Sequence, residues 1–550
     1  MSFYPFENPI GFGVSDFIAI VITGLLVLIA NIWKPWLSPF FSRFAERTVW
    51  CMLILGPMPV VLRLLLLPHH PAPSPDIYDE FGHLFIADTL RHFRLANPPH
   101  PFHRFFETFF VLQEPTYSSI YPLGQGIALA LGRMIFGHPW AGVILSIAAF
   151  CSLTYWMLRA WTTPEWALVG GAIALIEFGP LTSWMNSYWG GAFAASAGCL
   201  VFGALPRLKK SNDWRLGLLL GAGLGAVILT RPYESLFLFL AVIVYFIPIY
   251  KNRALIACVV VLLATLGLVV LQNKSVTGSW TTLPYRLSQF QYGVPAALTI
   301  QASPVPHREL TPQQAMEYKA QLAFQGTDKE TLQSYPLRLE YRARFYRFFF
   351  LAPLFIALVF FIPALREGRF VWVLFTTVLF AVGINFFPAF QFHYLAPIAS
   401  LFVLMAVIGL ERLSRITPGG AQAAQVLVFL CIFHFVFWYT MHVFDDRDFS
   451  QNARQYETWN GINHDNPQRR ILVNQQLASI PGKVLVFVHY APNHVFQEEW
   501  VYNEADIDHA RIVWARDLGG EENDKLRAYY PDRQVFLLEP DFRPPRLQRY

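Results

Sequence analysis

Charge is what this chain of 550 residues most lacks. Only 14% of it is Asp, Glu, Lys or Arg, against about a quarter in an ordinary soluble domain, which excludes a water-soluble globular protein of this length. Cysteine is nearly as scarce. Cys51, Cys151, Cys199, Cys258 and Cys431 all fall inside apolar runs, so no disulfide framework is implied and each reads as a small buried hydrophobe. The net charge of +5 is carried by short basic clusters between apolar runs. That is the pattern of membrane topology, not of nucleic-acid binding. The first apolar run does not read as a cleavable leader: it follows Glu7 and Asp16, precedes Lys34, Arg43 and Arg47, and shows no evident small-residue cleavage site. It reads as a retained helix with its N-terminus outside.

What is present is a succession of about thirteen apolar runs between Asp16 and Phe444, the signature of a polytopic α-helical membrane protein with about 12–13 transmembrane helices. The basic clusters at 34–47, 207–215, 251–253, 366–369 and 412–415 should face the cytoplasm. Segments 68–119, 182–189, 231–235, 272–347, 390–394 and everything after 444 then lie on the other face. Three runs separate the first two of these segments, so one does not cross; run 121–136, interrupted by Gly124 and Gly126, is expected to be re-entrant. The divisions are residues 1–67 (N-terminal membrane helices), 68–120 (first exterior loop), 121–271 (membrane core), 272–347 (second long exterior loop), 348–444 (C-terminal membrane helices) and 445–550. In the last, charge rises and the strand-like runs 484–489, 511–515 and 534–538 alternate with a helical stretch at 523–530, predicting a small exterior α/β domain. It contains no glycine-rich phosphate loop. The second loop carries a helical pattern at 312–324 and reads as an ordered lid or acceptor platform.

The chemistry concentrates in residues 74–95, SPDIYDEFGHLFIADTLRHFRL. Adjacent carboxylates, Asp79 and Glu80, open an amphipathic pattern in which Phe81, Leu84, Phe85, Ala87 and Phe93 form an apolar stripe, with Glu80, His83, Asp88 and Arg91 off it. The expectation is a surface helix along the membrane, capped by Asp79. A carboxylate at a helix start beside the lipid boundary is placed for general-base work; an ordinary N-cap on an interfacial helix is the plain alternative. His69, His70, His83, His92, His100 and His103 crowd the same loop, so a divalent metal is conceivable beside Asp76, Asp79 and Glu80, but no spacing matches a defined zinc motif and no cofactor is assigned.

Two spans before an exterior loop containing Tyr78-Asp79-Glu80 resemble the C-type (GT-C) membrane glycosyltransferases, in particular the protein O-mannosyltransferase and lipid A aminoarabinose transferase group. The resemblance continues in Tyr121-Pro122-Leu123, in Thr230-Arg231-Pro232 and in His393-Tyr394-Leu395-Ala396-Pro397. It implies a GT-C-like fold and a transferase in which Asp79, with Glu80 beside it, serves as catalytic base toward an acceptor hydroxyl. The implied donor is a polyprenyl-phosphate-linked sugar; the acceptor is a lipid, glycan or protein. Arg231, His393 and Tyr394 would meet the leaving phosphate, and Lys274 is a further candidate. The aminoarabinose transferases carry a second Asp in the exterior turn where this chain has Asn186, so Asn186, Tyr188 and Trp189 are read instead as sugar-binding. The resemblance further implies a multi-pass inner (plasma) membrane location of bacterial type, among membrane lipids, with the loops and terminal domain on the periplasmic or exterior face. The competing readings are a membrane transporter or flippase, and an assembly protein that keeps the fold without activity.

Overall fold

The computed structural model describes residues 14–29, 39–246, 252–325, 330–416, 418–444, 467–495 and 498–550, with Glu457, Trp459 and Ile462 between them. Lys34, Lys251 and the first residues of the 445–550 division lie outside the described residues. The expected apolar runs fall on helices, and the chain is a polytopic helical membrane protein. Five helices reach spanning length: Thr48–Leu65, Trp140–Leu158, Arg253–Thr277, Phe392–Ser414 and Gly419–Phe444. Asp16–Ile29, Leu123–Phe136, Trp214–Ile228, Pro232–Tyr245 and Gly368–Ile384 are shorter apolar helices. The pair Ser334–Phe349 and Ala352–Arg366 is bent by 107°. Leu351 enters the second helix extended, and Pro353 follows in its first turn, a place where proline costs no helical hydrogen bond.

Helix Leu123–Phe136 bears on the topological conflict of the first half. Its start touches the other exterior turn, where the Gly124 amide donates to the Leu229 carbonyl at 2.6 Å. Its last turn brings Arg133 to 3.4 Å from Asp88 of the first exterior loop. The helix that follows begins with Trp140, whose indole donates to the Met185 carbonyl in the turn at 182–189. Both ends of this helix therefore lie at the same end of the bundle, beside the loops at 68–119 and 182–189. It lies against the Asp79 helix: a Cβ at Gly126 would fall 2.2 Å from Ile86.

The first exterior loop forms helix Tyr78–Arg91, and here two expectations are corrected. Asp79 is not the N-cap. Ile77 occupies that position, and the longer side chain of Glu80 reaches back to accept from the amides of Asp76 (2.9 Å) and Ile77 (3.5 Å). Nor are the helix's polar residues solvated, as the plain alternative had them. Glu80, His83, Phe85, Ile86, Ala87, Asp88 and Thr89 are all buried, because the C-terminal domain covers it. Phe81 stacks on Tyr502 with ring centroids 4.3 Å apart, the Arg470 guanidinium lies over the Phe81 ring at 4.3 Å from its centre, and the Ala505 amide donates to Asp88 at 2.8 Å. Phe93, expected on the apolar stripe, is 87% exposed past the helix end.

A short ribbon, β1 (Val111–Leu112) and β2 (Ser118–Ser119), closes this loop. The terminal domain is a sheet of β3 (Lys483–Val488), β4 (Ile512–Arg516), β5 (Arg533–Glu539) and β6 (Arg546–Arg549) in the order β4-β3-β5-β6. The three expected apolar strands pair in parallel, Val484 standing opposite both Ile512 and Gln534. The edge strand β6 is antiparallel and carries no apolar run, so no pattern announced it. Helices Gln468–Ser479 and Gly520–Tyr529 complete the domain. In the second loop, helix Asn252–Thr277 continues past residue 271 before the loop begins, and the expected helix appears as Pro312–Gln325.

Candidate active site

Helix formation at Tyr78 turns the two adjacent carboxylates in different directions, and their environments separate them. Glu80 is fully buried. One oxygen holds the helix start and the other accepts from the Tyr188 amide at 2.7 Å. It is a pin between the first exterior loop and the turn at 182–189. Asp79, half-buried, accepts a hydrogen bond from the Tyr121 hydroxyl and lies within electrostatic reach of Arg231 and Trp189. Burial pushes Asp79 up from 3.8 to about 6, against the opposing pull of Tyr121, Arg231 and Trp189. Burial and the Asp79 charge in turn push the Tyr121 phenol well up, so Tyr121 remains a donor.

Arg231 stands just before helix Pro232–Phe246, with its guanidinium 5.1 Å from the centre of the Tyr394 ring. His393 is buried with its ring 4.8 Å from Trp189 and 4.9 Å from Tyr394. The segment carrying both, Phe392–Ile398, is seated by close backbone approach: a Cβ at Gly198 would fall 1.8 Å from the Pro397 carbonyl. Asp79, Arg231, Trp189, His393 and Tyr394, distant in sequence, thus converge.

Asn186 and Tyr188 are used differently from the expectation. Asn186 gives its amide protons to the Pro180 and Thr182 carbonyls, each at 2.8 Å, and accepts from Arg63 Nε at 2.6 Å. Arg63 is fully buried and also donates to the His70 and Pro71 carbonyls. Tyr188 donates its hydroxyl to the Pro73 carbonyl. Both residues brace the turn, leaving Trp189 as its member that faces the carboxylate. Lys274 is exposed, donates to the Gly278 carbonyl at 2.7 Å, and has no contact with Asp79, Arg231 or His393 among the described residues.

The loop histidines disperse. His100 meets Asp508, His103 lies near Glu114, His70 meets His442, and Nδ1 of His92 is 2.8 Å from its own helix's Asp88 carbonyl. Among the described residues no three His, Cys, Asp or Glu side chains assemble as a metal-binding group. His83 alone joins the carboxylate. It sits one turn beyond Asp79, its ring 4.5 Å from Tyr121, with a buried Nδ1 that has no hydrogen-bond partner. Burial, reinforced by the nearby Arg231, holds it down to about 3, so it is neutral. Glu234, buried within electrostatic reach of Arg231, is a second site residue that sequence reading passed over. Its signal was the spacing Arg231-Pro232-Tyr233-Glu234, which puts a carboxylate in the first helical turn after the cation.

The site is set in a helical bundle with a short carboxylate-bearing loop helix, a braced turn at 182–189 and a terminal α/β domain. Among solved structures the chain is similar to ArnT from Cupriavidus metallidurans in the apo state, at 11% identity and a TM-score of 0.50, covering 90% of this chain and 93% of that one. The likeness is one of fold. Other matches include ArnT from the same organism bound to undecaprenyl phosphate (10% identity, TM-score 0.49, 90% and 93% covered) and the Archaeoglobus fulgidus oligosaccharyltransferase in complex with Zn and sulfate (11%, 0.47, 89% and 67%). No protein-family model matches the chain, and no curated protein matches it by sequence.

Proposed function

We propose that this protein transfers a sugar from a polyprenyl-phosphate donor to an acceptor hydroxyl on the exterior face of the membrane, with inversion at the anomeric carbon. One observation carries the reading: Asp79 is a half-buried carboxylate, raised to about 6, within electrostatic reach of the Arg231 cation. A carboxylate so raised is a stronger base than a solvated one yet is still mostly ionised near neutral pH.

Asp79 takes the acceptor proton as the acceptor oxygen forms its bond to the anomeric carbon. The bond from that carbon to the phosphate oxygen breaks in the same displacement, and its electron pair leaves with polyprenyl phosphate. Arg231 stabilises the charge gathering on that phosphate. His393, Tyr394 and the neutral His83 offer hydrogen bonds around it, and Trp189 presents an indole on which a sugar face can stack. Glu80, Asn186 and Tyr188 act as positioning residues. The fold shared with ArnT is consistent with this assignment.

Purified protein supplied with polyprenyl-phosphate sugars tests it. Asp79→Asn abolishes transfer, whereas wild-type rates in that variant would sink the base assignment. Movement of a labelled lipid or solute across vesicles without sugar transfer would support the transporter reading instead.

A further inference from the structure

A polar cavity lies at the opposite end of the bundle from the site. It is about 350 Å³ in volume and is lined by Arg159, Lys210, Arg369, Arg412 and Arg415 against the single carboxylate of Glu411. Its distance from the site follows from the helices. Trp140–Leu158 and Ala192–Lys210 run from the exterior turn to this cavity over 19 residues each, about 28 Å at 1.5 Å per residue. Gly368–Ile384 and Ala399–Ser414 connect the same two levels. The cavity therefore sits one hydrocarbon thickness from Asp79, at the depth of the other leaflet's headgroups.

Its charge is not balanced within the fold. Glu411 accepts from Thr162 at 2.6 Å and pairs with Arg415. Glu367 pairs with Arg369 at 2.8 Å and with Arg412. Arg159 and Lys210 have no carboxylate partner among the described residues. Nη1 of Arg159 is buried without any hydrogen-bond acceptor, and Arg207 stands near enough to Arg159 for like-charge repulsion. A buried cationic donor without an acceptor is costly, and an anion removes that cost. Guanidinium forks suit phosphate oxygens in particular. The space holds on the order of ten waters, more than a lone ion requires.

The helix that supplies Arg369 also shows what is attached to the phosphate. Val371, Leu374, Phe375 and Val378 are 38–50% exposed and recur at helical spacing, forming an apolar stripe that runs from the cavity toward the membrane centre. We infer that the cavity binds the phosphate headgroup of an anionic phospholipid, with an acyl chain lying on this stripe, at a site separate from the exterior one.

Native mass spectrometry of the purified full chain, delipidated and then exposed to mixed micelles of phosphatidylglycerol and phosphatidylcholine, tests the inference. The wild type retains phosphatidylglycerol preferentially, and Arg159→Gln/Lys210→Gln weakens that retention by roughly ten-fold or more. Arg159→Lys, which keeps the charge without the fork, retains more than the double variant and less than the wild type. Lys210 is exposed, so Lys210→Gln alone gives a folded variant with a partial loss should the double variant fail to fold. Equal retention of the two lipids by the wild type, or wild-type retention by Lys210→Gln together with the double variant, overturns the proposal. So does stabilisation by glycerol 3-phosphate without any lipid preference, which would make the ligand a soluble phosphate ester.

Discussion

The Tyr121 hydroxyl donates to the carboxylate of Asp79 across 42 residues of sequence. It joins the start of helix Leu123–Phe136 to the first turn of helix Tyr78–Arg91. Burial raises Asp79 and this hydrogen bond lowers it, so Tyr121 sets how basic the carboxylate is. Transfer by the wild type should fall as pH drops through about 6. Tyr121→Phe removes a lowering contribution and leaves burial unopposed at that oxygen. A hydrogen bond to a charged group is worth about 1.5–3 kcal/mol, so the acid limb of kcat/KM should move up by roughly one pH unit or more. An unmoved limb with a uniformly lower rate would show that the hydroxyl does not tune the base.

The same carboxylate should cost stability. Its folded-state value of about 6 lies above the ordinary 3.8, so the fold favours the neutral acid. The favourable contribution is complete below about pH 4 and is lost as pH rises through 6; beyond that the ionised group costs up to about 3 kcal/mol. Asp79→Asn should therefore raise the thermal unfolding midpoint at pH 8 while abolishing transfer, and the two proteins should converge near pH 4.

Glu80 is a different case, though it is the next residue. It accepts from three backbone amides, those of Asp76, Ile77 and Tyr188. Glu80→Gln turns an NH2 group toward at least one of them, at a cost of roughly 2–4 kcal/mol. Lower thermal stability and a lower kcat are expected, with the acid limb of the pH profile unchanged. A shifted limb would give Glu80 a direct part in proton transfer.

The terminal domain is fastened to the second exterior loop through Arg516, which donates to Glu317 at 3.0 Å and Glu499 at 2.8 Å. All three are buried. Burial, with the Glu499 charge adding, pushes Glu317 up to about 8 despite Arg516, so the contact favours a protonated Glu317. That contribution is present at neutral pH and is lost as pH rises through 8. Hydrogen exchange in helix Pro312–Gln325 should accelerate between pH 7 and 9 beyond the intrinsic rate, and Glu317→Gln should remove the excess. Equal acceleration in both proteins would mean that Glu317 does not control the contact.

Much of the architecture was legible because membranes impose simple rules. Apolar runs became helices since lipid leaves no other way to satisfy the backbone, and the three apolar strands of the terminal domain paired in parallel as buried runs do. The turn at 231 and the segment at 393 were legible as polar punctuation at the ends of such runs. The division of labour between Asp79 and Glu80 was not. Adjacent carboxylates read alike until helix geometry sends one to the amides of residues 76, 77 and 188 and leaves the other beside Tyr121. Asn186 looked free to meet a sugar because its true partner, Arg63, lies in a run that reads as membrane helix. His83 read as one of six loop histidines; only packing against Tyr121 separates it from the rest.

Composition and hydrophobic pattern by themselves determined that this chain is a multi-pass helical protein with its polar chemistry gathered on one face and an α/β domain at the end. Those features rest on transfer free energies and on segment length, both local properties of the sequence. Only the tertiary structure decided which carboxylate is held basic, which loop histidine joins it, and which cations are left unmatched at the far end of the bundle. Each depends on contacts between residues tens to hundreds of positions apart, where burial and the presence or absence of one partner change a group's charge more than its identity does.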